Sequence, residues 1–295
     1  MKYCLKLIRI NQWIKNLFVF VPLVFSGNIF HPGLFFKTLF AFAVFSFVSG
    51  LVYIFNDYMD MEADRKHPVK MHRPLAGGTV SVKKASLLFA AVMMTVLGLF
   101  VFGLYSFRED MPFFSTVTGI YFVLNIMYSV KLKHIAIIDV FTVAFGFVLR
   151  VLSGGFIAGI FISQWTLLLT FSLALVLAVG KRREELISCQ AGHEKNRESL
   201  SGYNIQMIDI ALAISCTLAM ISYLMFTLSP ETREKFHSRV FYTIIFVVFG
   251  FMRYLQQTLV FNRAESPAKI IYHDRYMQVT LILWLAVFLL QIYLQ

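Results

Sequence analysis

Residues 33–65 read GLFFKTLFAFAVFSFVSGLVYIFNDYMDMEADR. The stretch 33–56 carries one charge, Lys37. An apolar run of that length spans the ~30 Å hydrocarbon core of a bilayer as a helix. The composition then changes abruptly. Asn56-Asp57-Tyr58-Met59-Asp60-Met61-Glu62-Ala63-Asp64 reads NDxxDxxxD. At ~100° per residue, Asn56, Asp57, Asp60 and Asp64 share a face about 100° wide, and Glu62 points elsewhere. Three carboxylates and an amide on one face repel one another unless a cation neutralises them. Hard oxygen donors suit Mg²⁺, which commonly bridges a few carboxylates to substrate phosphates. The plainer alternative is a solvated helix end. Against it, the 295-residue chain has only 16 acidic residues, and four of them fall within 57–64. A Ca²⁺ loop is disfavoured, because EF-hand spacing and its glycine are absent.

The apolar run is one of nine, at about 12–30, 33–56, 81–105, 112–130, 135–160, 164–185, 205–228, 237–262 and 276–294. They account for a chain that is 58% hydrophobic and only 15% charged, against roughly 25% charged in a soluble domain. The expectation is an all-α, polytopic membrane helix bundle of about nine transmembrane helices, forming a single domain over residues 1–295. Pro22 interrupts the first run, which should be tilted or irregular. Gly146, Gly154, Gly155 and Gly159 in the fifth permit close helix packing. Small-residue faces of this kind also allow a homo-oligomer.

Lys and Arg set the orientation. With the N-terminus inside, the inner segments hold 20 of them. These are Lys2, Lys6, Arg9 and Lys15; Arg65, Lys66, Lys70, Arg73, Lys83 and Lys84; Lys131 and Lys133; Lys181, Arg182, Arg183, Lys195 and Arg197; and Arg263, Lys269 and Arg275. The outer segments hold five, Lys37, Arg108, Arg233, Lys235 and Arg239. That split places the N-terminus in the cytoplasm and the C-terminus outside, across the inner (plasma) membrane. Much of the net charge of +11 is then topology, and nucleic acid is not an expected partner. Cys4, Cys189 and Cys216 have no CxxC spacing and suggest neither metal site nor disulfide framework. Residues 1–16 are basic, with no small-residue cleavage pattern after them, so no cleaved signal peptide is expected.

Basic residues follow the acids directly, in Arg65-Lys66-His67-Pro68-Val69-Lys70-Met71-His72-Arg73-Pro74-Leu75-Ala76-Gly77-Gly78. The prolines stop the helix and the glycine pair allows a tight return. Lys70 and Arg73 are expected to fold back toward the acids, where they would neutralise phosphate. A second inner turn, Tyr128-Ser129-Val130-Lys131-Leu132-Lys133-His134, precedes Asp139 inside the next apolar run. Arg150 lies on the same face, roughly 16 Å further along a regular helix, too far for a direct pair. Ionisable residues at such depths are functional candidates. The alternative is burial against a partner helix. Asn11, Trp13, Lys15 and Asn16 make the N-terminal turn polar, and Trp13 also fits an interfacial anchor. Lys181-Arg182-Arg183-Glu184-Glu185 has two readings, an anchor with i,i+3 or i,i+4 pairs or a substrate role. His273-Asp274-Arg275 carries less.

These residues resemble the UbiA superfamily of membrane-embedded transferases. That family has an NDxxDxxxD motif after its second helix, here Asn56 to Asp64. It also has an RPLAxG-like segment, here Arg73 to Gly78, and a second polar motif between its fourth and fifth helices, here Tyr128 to Asp139. Within it, the chain is most similar to decaprenyl-phosphate phosphoribosyltransferases. Gln12 to Asn16 before Pro22-Leu23, Tyr128 to Asp139, Gly146 to Arg150, and Gly180-Lys181-Arg182 with Asp274-Arg275 carry that closer match. In prenylating members the second motif is usually a DxxxD-like acidic pair. Here Asp139 stands alone among lysines, which favours a donor bearing a diphosphate and an additional phosphate.

The resemblance implies an Mg²⁺-dependent transfer of 5-phosphoribose from phosphoribosyl diphosphate to a polyprenyl phosphate, a step of cell-envelope biosynthesis. It implies Asn56, Asp57, Asp60 and Asp64 as metal ligands, and Asp57, Asp60 and Asp139 as catalytic residues. Lys70, Arg73, Lys131 and Lys133 would meet donor phosphates, and Lys15 and Arg150 the lipid phosphate or ribose side. Asn16, Tyr128, Lys181 and Arg182 complete the substrate-binding set. The competing expectations are an aromatic prenyltransferase using a polyprenyl diphosphate, and a transporter. The first needs a second acidic cluster near 128–143, and the second needs charges spread through the membrane.

Overall fold

The computed structural model describes residues 2–67, 70–190, 198–236, 238–261 and 267–293. Pro68, Val69, Lys195, Arg197 and Arg263 lie outside the described residues. The described residues are mostly helical, with no strand among them. Among the described residues seven helices are long and apolar enough to cross a membrane, so this is a multi-pass membrane protein. They fall where the second to eighth apolar runs were expected. The first and ninth runs appear as shorter apolar helices, Ile10–Phe25 and Arg275–Gln291. The expected count of nine is not confirmed: among the described residues seven spans are full-length and two are short. A lone helix needs ~20 residues to cross the hydrocarbon core.

The helices form two compact units, Met1–Ile162 and Ser163–Gln295. The first contains α1 (Lys2–Ile8), a 3-10 stretch (Ile10–Phe20), α2 (Val21–Phe25), α3 (Pro32–Met59), α4 (Met61–Arg65), α5 (Val82–Ser106), α6 (Met111–Val130) and α7 (Ile138–Ala158). The second contains α8 (Gln164–Gln190), α9 (Ile205–Leu228), α10 (Pro230–Phe236), α11 (Ile244–Leu255), a π-helical turn (Gln256–Val260), α12 (Pro267–His273) and α13 (Arg275–Tyr293).

Local sequence sets the helix ends. His31 Nδ1 accepts the Leu34 amide at 3.3 Å, and Pro32 fits the first turn of α3, where no amide is needed. Ser81 Oγ does the same for the Lys84 amide at the start of α5, at 3.4 Å. Gly159, at φ +64, closes α7 in the left-handed region, with the Ile160 amide returning to the Gly155 carbonyl at 2.9 Å.

The irregular first run is a 3-10 stretch of 11 residues, long for this conformation. Gly154 of α7 lets it approach. A Cβ built there would sit 1.8 Å from the Val19 carbonyl oxygen. Gly50 of α3 likewise makes room for Ile8, whose Cγ2 would lie 2.6 Å from an added Cβ. Without a hydrophobic drive between helices in lipid, such close backbone contact is a main source of cohesion. The buried apolar cluster joins Leu7 and Val19 to Val44, Phe45 and Val48 of α3, Phe114 and Tyr121 of α6, and Leu149 of α7.

Gly154→Ala should therefore push the 3-10 stretch off α7. We expect a loss of about 1–3 kcal/mol in reversible unfolding of the detergent-solubilised protein, whereas Gly98→Ala, which meets nothing within 4 Å, should be neutral or better.

Candidate functional site

The acidic face forms as its spacing dictates. α3 ends at Met59, but the Asp60 amide still reaches the Asn56 carbonyl at 2.9 Å and the Asp64 amide reaches Asp60 at 2.8 Å. Helical pitch thus carries through the α3–α4 junction, and Asp57, Asp60 and Asp64 stay on one side. Asn56 Nδ2 donates to Asp60 Oδ2 at 3.1 Å. Asp57 and Asp64 are only 2% and 4% exposed, and Asp60 is half-buried. Glu62 points away and pairs with Arg65 at 2.8 Å in solvent.

Buried carboxylates need cations, and three arrive from three separate segments. Arg9 Nη2 donates to Asp57 Oδ1, with its guanidinium 5.0 Å from the Tyr53 ring centroid. Arg9 is itself left-handed, at φ 55 and ψ 54, at the joint between α1 and the 3-10 stretch. A non-glycine residue in that region costs energy, and here the joint turns Arg9 onto the acids. Arg73 Nη1 lies between two carboxylates, 2.7 Å from Asp64 Oδ2 and 3.4 Å from Asp57 Oδ1. The chain returns there through a tight turn. The Gly77 amide donates to the Arg73 carbonyl at 2.8 Å, and a Cβ on Gly77 would meet the Met71 carbonyl at 2.9 Å. Buried Leu75 and Val80 anchor the segment. Lys133 Nζ, buried on the 3-10 turn Leu132–His134, pairs with Asp60 Oδ1.

Arg73 folds back onto the acids as expected, and Lys133, expected at the donor phosphates, also meets them. Lys70 and Lys131 are exposed and form no ion pair among the described residues. Tyr128 is half-buried on the last turn of α6. Asp139 is fully buried at the start of α7, where its Oδ1 accepts the Val140 amide at 2.9 Å. Lys15 is exposed. Arg9 was not among the expected site residues. Its sequence signal is arithmetic, since three clustered carboxylates ask for a third cation beside Arg73 and Lys133.

Arg150 enters a different arrangement. It is 6% exposed, with Nε on Asn16 Oδ1 at 2.8 Å, Nη1 on the Gly146 carbonyl at 2.7 Å and Nη2 on the Tyr121 hydroxyl at 2.7 Å. Ser46 and Ser49 of α3 complete the ring through Asn16, at 3.2 and 3.4 Å. All three guanidinium nitrogens are engaged by protein oxygens, and the charge also rests on the faces of Tyr121 and Phe147, at 4.7 and 5.2 Å. The arrangement ties the 3-10 stretch to α3, α6 and α7. This geometry fits burial against partner helices better than contact with a substrate.

In the second unit, α8 carries Lys181 and Arg182. Arg182 pairs with Glu185 one turn on, and Lys181 lies 3.9 Å from the same carboxylate. These are the i,i+3 and i,i+4 pairs of an anchoring turn. Arg183 reaches Asp209 of α9 at 2.7 Å.

The donor set suits a hard divalent ion used with a phosphate ligand. Among the described residues no three His, Cys, Asp or Glu side chains close on one point. The four expected metal ligands form an open face instead of a cage. Asp57 and Asp64 do flank a single point, held here by a positively charged nitrogen of Arg73. Two carboxylates with substrate phosphates as the remaining ligands is a usual Mg²⁺ arrangement.

Comparison with known proteins agrees with this architecture. The model of the UbiA prenyltransferase family matches residues 17–282. Decaprenyl-phosphate phosphoribosyltransferase of Corynebacterium glutamicum is 31% identical, over 98% of this chain and 86% of its own length. Its namesake in Mycolicibacterium smegmatis is 30% identical, over 95% and 89%. The solved structure of a UbiA homolog from Archaeoglobus fulgidus bound to DMAPP and Mg²⁺ superposes with a TM-score of 0.66 at 18% identity, over the whole of both chains. At that identity the likeness is one of fold.

Arg73→Gln should leave Asp57 and Asp64 short of a partner. We expect a loss of about 1–3 kcal/mol in detergent unfolding, partly recovered when Asp64→Asn is added. Additive losses in the double-mutant cycle would refute the direct pairing.

Proposed function

The chain belongs to the UbiA prenyltransferase family, and from that premise we propose that it transfers 5-phosphoribose from phosphoribosyl diphosphate to a polyprenyl phosphate at the cytoplasmic face of the inner membrane. The carrying observation is the composition of the polar cluster. Its acids face Arg9, Arg73 and Lys133, and the second polar turn supplies a lysine where a prenyl-diphosphate enzyme would bring a second acid pair. The relatives that this chain matches along nearly its whole length carry the name of the same reaction.

In the proposed reaction a phosphate oxygen of the lipid attacks ribose C1. The bond between C1 and the diphosphate oxygen breaks, and diphosphate leaves with the electron pair. The nucleophile is anionic at neutral pH, so no strong general base is required. Mg²⁺ would be held by Asp57 and Asp64, with Asn56 and Asp60 beside them, and would neutralise the departing diphosphate. Arg9, Arg73 and Lys133 bind phosphate oxygens and stabilise charge where it develops. Asp139 orients a lysine or a ribose hydroxyl. Lys15, Asn16, Lys70, Tyr128, Lys131, Lys181 and Arg182 remain candidates for steering the two anionic substrates. Arg150 is assigned to holding the helices in place.

The test is direct. Purified protein is incubated with labelled phosphoribosyl diphosphate, Mg²⁺ and polyprenyl phosphate, and the lipid product is weighed by mass spectrometry. Label in the lipid fraction, with the mass of a phosphoribosyl adduct, is expected. No adduct, with turnover of a prenyl diphosphate and an aromatic acid instead, would move the assignment to aromatic prenyl transfer. Asp57→Asn should lower kcat about 100-fold or more while the protein still elutes as the folded species. Near wild-type turnover in that variant would remove Asp57 from the reaction.

A further inference from the structure

The second unit contains a groove that the proposed reaction does not use. It lies along α11, the π-helical turn and the start of α13, with a volume of about 660 Å³, within the usual range for a ligand pocket. Phe249, Met252 and Leu259 form apolar walls, and Arg253, Gln256 and Tyr276 supply the polar part. Among the described residues Arg253 is its only charged lining residue.

Counting donors and acceptors shows what the groove can bind. Buried Asp274 Oδ2 accepts from Arg253 Nε at 3.1 Å, from Arg253 Nη2 at 2.7 Å and from Gln257 Nε2 at 2.6 Å, and Asp274 Oδ1 caps α13 through the Met277 amide at 2.9 Å. Gln256 Oε1 accepts Arg253 Nη1 at 2.7 Å. These acceptors are committed to their neighbours. The donors left over are the Gln256 amide NH₂, the Tyr276 hydroxyl and one N–H on each of Arg253 Nη1 and Nη2. Among the described residues the Gln256 amide nitrogen and the Tyr276 hydroxyl form no hydrogen bond. Tyr276 lies with its ring 5.0 Å from the Arg253 guanidinium and is largely exposed. The local break to π-helix, where the Phe261 amide reaches back to Gln256 at 3.2 Å, is a device common at functional sites.

We propose that this groove binds an anionic phospholipid of the surrounding bilayer. Its phosphate oxygens would be received by Gln256, Tyr276 and Arg253, and an acyl chain would lie on Phe249, Met252 and Leu259. A lining whose unengaged groups are mostly donors, set beside an arginine, favours an anionic oxygen-rich headgroup over a zwitterionic one that also brings an ammonium. Phe249 and Met252, both exposed, face lipid chains without penalty in a membrane span. With the N-terminus inside, as the charge split implies, the groove opens toward the inner leaflet, where basic pockets between helices recruit anionic lipids. Bilayer phospholipid also far outnumbers any phosphorylated carrier lipid. The inference does not depend on the proposed transferase substrates.

The test uses the full chain in mild detergent, titrated with phosphatidylglycerol or phosphatidylcholine and read by native mass spectrometry. One phosphatidylglycerol adduct is expected, favoured over phosphatidylcholine by about tenfold or more. Gln256→Leu with Tyr276→Leu should remove most of that preference, and Tyr276→Phe alone should remove part of it. Arg253 is left intact because its loss would strand Asp274. Equal binding of the two lipids would overturn the proposal. So would a preference unchanged in the double variant of normal elution volume, or displacement of phosphatidylglycerol by equimolar polyprenyl phosphate.

Discussion

Three carboxylates on one side of a helix end cannot remain ionised together without positive charge between them, and the first unit is organised around supplying it. Each cation comes from a different segment, and each segment has a backbone feature that delivers it. Arg9 needs the left-handed joint after α1. Arg73 needs the close turn at Gly77. Lys133 needs the short 3-10 turn between α6 and α7. Burying ion pairs is a poor source of stability, because desolvation offsets most of the attraction. An arrangement that gathers three of them at the end of an apolar helix is better understood as a prepared polar site than as holding the fold.

The fold is held elsewhere. Inside a bilayer every backbone and side-chain polar group must find a protein partner, and the node around Arg150 meets that requirement with neutral oxygens from four segments. The node also bears on the acidic site. Asn16 fixes the 3-10 stretch against α3 and α7, and Gly154 lets its backbone touch α7. Arg9 directly precedes that stretch. The position of the first cation on Asp57 is thus set by contacts that lie well inside the membrane span. Arg150, an apparent substrate contact when read as an isolated intramembrane charge, becomes a part of the scaffold that aims another arginine.

How much of this was legible beforehand depended on periodicity. The acidic face follows from 100° steps along residues 56–64, and it survived the helix junction because two backbone hydrogen bonds carry the pitch through Asp60. Seven spans follow from run length alone. The ends of the chain did not read as well. An 11-residue 3-10 stretch is hard to tell from an α-helix by pattern, since 3.0 and 3.6 residues per turn diverge slowly and Pro22 marks only its far end. Arg9 was hidden for a different reason. It sits among basic residues whose presence topology already explains, and nothing local distinguishes it from Lys6 or Lys15. Only the contact 48 residues away on Asp57 does so. The split into two units was also invisible, because no composition change marks residue 162.

The pairing itself suggests how the proposed chemistry could proceed without large rearrangement. A cation between Asp57 and Asp64 already exists as the Arg73 guanidinium. Under the proposed function, Asp57 and Asp64 would hold a divalent ion that neutralises diphosphate, and Arg73 would turn to phosphate oxygens within reach of the same side chain. In the proposed reaction Arg9 and Lys133 would make the same exchange, trading carboxylate for phosphate. Each step replaces one anion–cation contact with another, so charges are never stripped bare in a low-dielectric site, where they would be most costly. Arg73 is itself partly exposed, which lowers the cost of breaking its pairs. If the proposed reaction holds, a site that keeps its own counter-ions until substrate brings replacements would be preorganised for electrostatic catalysis, with no open, unpaired carboxylates beforehand.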